Sequence, residues 1–279
     1  MARRTGFGME VFEVKPEWTQ ALGRHRRGSR PRCVALVDGS REAVAASLTS
    51  LVGLPDVRVC ADDYWMPAGV PVKTGATWDE RPAREARLER ELEFLSVGIR
   101  RVLKGWWLAV GRGANTPNWD LASTCVIEGT RGLVLVEAKA HASELSMAGK
   151  SLPRTPNGWN NHERIGDAIA EASAGMARMT GADCSLSRDD RYQLSNRVAW
   201  AWKVVSLGVP VVLVYLGFLD AEEMRADGAL LHSHEDWVEL VRQYADGLVS
   251  QSCWGTRFAV DGVPFFALIR SRRQDVRGV

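Results

Sequence analysis

The sequence has only five cysteines, Cys33, Cys60, Cys125, Cys184 and Cys253, and no two form a Cys-x-x-Cys pair. That excludes a disulfide framework and a zinc ribbon, and it points to reduced thiols in a cytoplasm. Long apolar runs are missing as well. The longest uncharged stretch, Val204 to Leu219, has 16 residues broken by Gly208 and Pro210, short of the roughly 20 apolar residues that a membrane span needs. The basic N-terminus, Met1 to Met9, has no apolar region behind it, so no export signal is expected. There is no zinc-finger spacing, no helix-turn-helix pattern, no glycine-lysine phosphate loop and no internal repeat. Asp38-Gly39-Ser40, one glycine between an apolar run and a helix, falls short of a phosphate-binding loop.

What is present is an ordinary globular composition: 279 residues, 46% hydrophobic and 25% charged, enough for one elaborated domain or two small ones. The formal charge of +2 hides an asymmetry, because residues 1 to 32 hold eight Lys/Arg against three Glu, and residues 270 to 279 add four Arg against one Asp. The interior is therefore net acidic, and an anionic partner would be held by the termini or by a local cluster. The turn-rich basic segment Arg24 to Arg32 gives way to the apolar run Cys33 to Val37. We therefore expect a mobile basic arm over 1–32, a domain over 33–279, and a strand at its start.

Along the chain, a helix is expected from Arg41 to Leu51 behind the N-cap Ser40, and another from Arg81 to Lys104 on the stripe Leu88, Leu92, Leu95, Ile99. Gly105 should end that second helix. Three strand-like runs follow, Trp106–Val110, Trp119–Ile127 and Gly132–Ala140, and read as a meander. Helices are expected over 164–179 and 190–207, a strand buried on both faces over Val211–Leu216, a helix over 235–248 capped by Ser233, and a closing strand over 264–269. His232-Ser233-His234-Glu235 is a helix start by this reading rather than a metal site. Of the 11 tryptophans, those in apolar runs (Trp106, Trp107, Trp200, Trp202) belong to the core, and Trp65, Trp78 and Trp159 are the ones placed to stack on bases.

The residues that suggest chemistry are Asp120, at the start of one strand, and Glu137-Ala138-Lys139 in the next. Side chains alternate along a strand, so Glu137 and Lys139 share a face while Ala138 points away, and a hairpin can bring Asp120 to Glu137. Two carboxylates suit Mg²⁺ or Mn²⁺, and a lysine beside the ion can help position and deprotonate an attacking water. The unbroken apolar run Leu133–Val136 just before this charged pair describes a covered central strand, at whose C-terminal end such sheets carry ligands.

At these residues the sequence resembles the PD-(D/E)XK nuclease superfamily, which includes restriction endonucleases, RecB-type nucleases and Holliday-junction resolvases. The family's proline before the Asp is Trp119 here, with Pro117 two positions earlier. The resemblance implies an α/β fold with a restriction-endonuclease-like core, α-β-β-β-α-β, over 81–219, a mixed sheet flanked by helices with N- and C-terminal elaborations. It also implies a Mg²⁺- or Mn²⁺-dependent hydrolase acting on nucleic acid, with DNA the expected substrate. Asp120, Glu137 and the main-chain carbonyl of Ala138 would hold the ion and Lys139 would serve the water. Supporting positions are Glu85, for a second ion, Gln193, which some RecB-like members carry on the corresponding helix, and His141, two residues past Lys139. The tyrosine that those members have four residues after the glutamine is Arg197 here. A homodimer or a partner protein is compatible with this reading. The alternative is a catalytically inactive protein of the same fold that binds nucleic acid or a protein.

Overall fold

The computed structural model describes residues 16–111 and 114–276. After a 3₁₀ segment at Glu17–His25, the elements run α1 (Ser29–Leu36), α2 (Arg41–Val52), β1 (Val57–Arg58), β2 (Trp65–Met66), β3 (Val72–Thr74), β4 (Thr77–Asp79) and α3 (Val97–Trp107). They continue through β5 (Leu121–Ile127), β6 (Thr130–Lys139), α4 (Pro156–Thr180), α5 (Tyr192–Ser206), β7 (Val211–Leu219), α6 (His234–Ala245), β8 (Arg257–Val260) and β9 (Val263–Arg273). The main sheet is mixed, in the order β1-β5-β6-β7-β9-β8, with β2 also on β5. β6, β7 and β9 are parallel to one another, whereas β1, β2 and β6 run antiparallel to β5, and β8 runs antiparallel to β9.

Helices cover both faces, giving an α/β architecture. On one side α3, α4, α5 and α6 pack over Leu135, Leu213 and Tyr215; on the other α1 and α2 pack over Val134, Val136, Val212 and Val214. All nine residues of β7 are buried, which is why that strand reads as a continuous apolar run rather than an alternating one. Burying each such side chain is worth roughly 1.5–3 kcal/mol. Among the described residues no helix is long and apolar enough to cross a membrane.

β5 and β6 form a hairpin, and its turn sets the register on which the site depends. Ile127 pairs with Thr130, so the loop is Glu128-Gly129, with φ of 49° and 78°. Two positive φ angles are the mark of a type I′ turn, whose twist matches that of the flanking strands. From there the ladder runs without a bulge to Leu121 opposite Val136.

Several expectations are corrected. Cys33–Leu36 is the end of helix α1 rather than a strand, and the boundary expected near residue 32 falls inside that helix. Residues 17 to 32 are tied down: Arg32, 5% exposed, is paired to Glu223, Arg27 to Asp227 at 2.6 Å, and Arg30 to Glu85. The rest of the expected arm, 1–15, lies outside the described residues. The helix expected over 81–104 is confined to α3, because Ala86 is drawn into a two-way backbone bridge with Trp119 (2.9 and 3.2 Å) and Ser96 caps a later start.

Gly105 does not end α3, which runs on through Trp107. Trp107 is fully buried against Trp200 at 5.7 Å, and that packing outweighs the roughly 1 kcal/mol that an interior glycine costs. The strand expected at Trp106–Val110 is therefore absent. The edge it would have filled is taken by β1 and β2, from earlier in the chain. Trp65 belongs to β2 and is 5% exposed, beneath the Arg41 guanidinium, so it cannot stack on a base. Ser233 does begin α6, with a reciprocal capping box to Asp236.

Candidate active site

Asp120 is the residue before β5, and the hairpin register carries it to the end of β6 beside Glu137-Ala138-Lys139. Its Oδ2 accepts a hydrogen bond from the Ala138 N–H at 2.8 Å. The two carboxylates thus lie on neighbouring strands, one pair beyond Leu121–Val136. Glu137 is fully buried, with Oε1 accepting from Lys139 Nζ and Oε2 from Arg197 Nε of α5. Arg197 donates a further bond to Asn196 Oδ1 at 2.7 Å, and its guanidinium lies 5.1 Å from the Trp119 ring centre. Alternation along β6 explains why Glu137 and Lys139 act together: both point to the α5 side, while Ala138 packs with the α1–α2 core.

The electrostatics follow from burial set against charge. Burial pushes the Glu137 carboxyl up, but Arg197 and Lys139 outweigh it and hold the group below its ordinary value. Burial also works against the charged form of Lys139, and there Glu137 and then Asp120 prevail, leaving its pKa raised. Lys139 as held here is an ammonium, a charge rather than a base. Among the described residues Asp120 has no such ion pair. Burial, and then the Glu137 charge, push its carboxyl up to about 7, with Lys139 and the Ala138 N–H opposing.

Asp120 opens onto a cleft of about 420 Å³. Of the supporting positions, Glu85 and Gln193 line the same cleft. Glu85 reaches it from the extended segment bridged to Trp119 rather than from a helix; it is paired to Arg30 and accepts from Asn118 Nδ2 at 2.7 Å. Gln193 stands one turn before Arg197 on α5. His141 does not join them. It is 2% exposed and caps a short turn, its Nδ1 accepting from the Ser143 N–H at 3.1 Å. The sequence reading missed Arg87 and the amides Asn115 and Asn118; it counted Arg30 only within the basic arm, and it set Arg197 one turn from Gln193 and beside Asn196 without its ion pair to Glu137. None had a local signal, for they come together only through the bridge at Ala86 and the packing of α1 and α5.

The donor set suits a hard divalent ion in kind. Asp120 and Glu137 offer carboxylate oxygens, and the N–H and C=O of a strand residue point to the same edge, so the Ala138 carbonyl is directed towards Asp120. The Asp120 carboxyl is raised first by burial and then by the Glu137 charge, a cost that a cation would offset. Against this, both Glu137 oxygens are engaged by cations of the chain itself. Among the described residues no three His, Cys, Asp or Glu side chains form a group able to hold a metal. Comparison of the chain with protein-family models, curated proteins and solved structures finds no match.

Proposed function

We propose that the protein is a metal-dependent nuclease that hydrolyses phosphodiester bonds of nucleic acid, with DNA the expected substrate. The observation that carries this reading is the hairpin register that sets Asp120 against Glu137 and Lys139 beside a cleft with arginines in its walls. The order of elements supports it as well. Short strands antiparallel to β5, then β5 with Asp at its head, β6 ending in Glu-x-Lys, helices, and β7 parallel to β6 are compatible with a restriction-endonuclease-like core. On this reading α2, β1 and β2 would stand in for the helix expected over 81–104 and the first strand of the meander.

In this reading Asp120, Glu137 and the Ala138 carbonyl would hold Mg²⁺ or Mn²⁺, and Glu85, which lines the same cleft, would serve a second position. The ion would supply Lewis-acid stabilisation of the phosphate and lower the pKa of the attacking water. Lys139, held protonated, stabilises the negative charge that builds on the phosphate. The arginines of the cleft draw the strand in by its charge.

The test is cleavage of plasmid, single-stranded DNA and RNA with Mg²⁺, with Mn²⁺ and with EDTA, by the wild type and by Asp120→Asn. Cleavage that needs the metal and is lost in the variant is the expected result. Cleavage that persists in EDTA refutes the mechanism. A second reading is favoured by one observation: Glu137 is already neutralised by Lys139 and Arg197. It describes a non-catalytic protein that binds nucleic acid in the same cleft, and binding without cleavage in any metal would select it.

A further inference from the structure

The cationic side chains around the cleft are mostly spoken for. Arg27 is paired with Asp227, Arg30 with Glu85, and Arg197 with Glu137. Arg87 differs. Among the described residues it has no ion pair, and its guanidinium is held by two neutral amides: Nε donates to Asn118 Oδ1 at 2.5 Å and Nη1 to Asn115 Oδ1 at 3.0 Å. Nη2 is left without a partner among the described residues. A second, independent feature lines the same cleft. Thr116, 5% exposed, has a buried hydroxyl with no hydrogen-bond partner among the described residues. A buried, unpaired hydroxyl is costly unless something outside the chain completes it.

A guanidinium fixed in place without an ion-pair partner, in one cleft with an unsatisfied hydroxyl, matches the needs of a phosphate, which takes hydrogen bonds from both. The bridge of Ala86 to Trp119 puts Arg87 opposite Asn118, two residues from Asp120, on the wall of the Asp120 cleft. We propose that Arg87, steadied by Asn115 and Asn118, and the Thr116 hydroxyl form a subsite that grips one phosphate of a nucleic-acid strand beside Asp120. The inference rests on the nuclease reading for its ligand and names a subsite which that reading leaves unspecified. Arg87 is a binding residue here, and Asn115 and Asn118 are positioning residues.

The experiment measures binding of a short fluorescent oligonucleotide by anisotropy in EDTA over a salt series, with inorganic phosphate as competitor. The proteins are wild type, Arg87→Ala and Asn115→Asp. Arg87→Ala should weaken binding by roughly ten- to a hundredfold, the worth of a hydrogen bond to a charged group. It should also flatten the log K versus log salt slope by about 0.7 to 0.9, one phosphate's share. Asn115→Asp separates charge from shape, since it keeps the hydrogen bond to Arg87 but supplies the missing carboxylate. It should weaken binding comparably while its melting temperature stays equal to or above that of the wild type; a purely structural Arg87 would gain from the change and lose no affinity. Millimolar phosphate should compete with the oligonucleotide on the wild type and not on Arg87→Ala. Unchanged affinity and slope in Arg87→Ala, wild-type affinity in Asn115→Asp, or phosphate that fails to compete on the wild type would each overturn the subsite while leaving the nuclease reading intact. A wild type that binds no oligonucleotide would overturn both, and a wild type that binds through Arg87 but cleaves nothing would overturn the nuclease reading alone.

Discussion

Replacing Asp120 by Asn should stabilise the protein at pH values above about 4, and most fully at neutral to alkaline pH. The folded pKa of about 7 lies well above the ordinary 3.8. Between those values the folded chain keeps a proton that the unfolded chain has lost, so stability falls by up to about 1.4 kcal/mol for each pH unit of rise. The deficit is absent below about pH 4, grows from there to about pH 7 and is complete above it. Its full size is about 4 kcal/mol from the pKa difference alone. Asp120 is only half-buried and lines the cleft, and screening by solvent brings the expected gain to about 2–4 kcal/mol. Asn keeps the shape, and its amide oxygen can still accept the Ala138 N–H at 2.8 Å. Urea unfolding followed by tryptophan fluorescence at about pH 4, 6 and 8 measures the difference directly. Equal curves at pH 4 and a more stable Asn variant at pH 8 are expected; a variant no more stable than wild type at pH 8 refutes the argument that the Asp120 charge is buried at a cost. Mg²⁺ offers a second check. At about a hundred times its dissociation constant it should add about 2.7 kcal/mol to the wild type at pH 8 and much less to the variant.

Lys139→Ala should slow cleavage by about 10²- to 10³-fold with little change in oligonucleotide affinity, as for loss of a single electrostatic group, and single-turnover kinetics beside anisotropy separate the two. Lys139→Arg should be nearly as damaging, because a planar fork does not fit a buried point-charge position next to Gly217; wild-type turnover in either variant would move the catalytic assignment elsewhere. Arg197→Ala leaves Glu137 buried with one cation in place of two, so a loss of about 3–5 kcal/mol in urea unfolding is expected, and a loss under about 1 kcal/mol would show that the pair is solvated. Ser233→Ala removes the cap of α6, whose Oγ accepts from the Asp236 N–H at 3.0 Å, and should cost about 1 kcal/mol with cleavage untouched.

The sequence alone determined the features whose causes are local. The apolar run of β7, the alternation that puts Glu137 and Lys139 on one face, the hairpin that carries Asp120 to them, and the Ser233 cap each depend on residues a few positions apart. Short-range propensity and periodicity read such features directly. Tertiary structure decided the rest. Cys33–Leu36 has the composition of a strand, yet it is a helix laid on the sheet, anchored by the Arg32–Glu223 pair across 191 residues. The stripe at Leu88, Leu92 and Leu95 has helical spacing, yet Ala86 is spent on a backbone bridge to Trp119 and the helix waits for Ser96. The edge beside β5 is filled by β1 and β2 from upstream, because Trp106, partly buried, and Trp107, fully buried, pack on the core as the end of α3. The cleft itself draws Arg30, Arg87, Asn118, Asp120 and Arg197 from four separate segments, and Glu137 owes its charge state to an arginine 60 residues away. Contacts over such separations leave no periodicity in the chain, and only the packing of helices on the sheet brings them together.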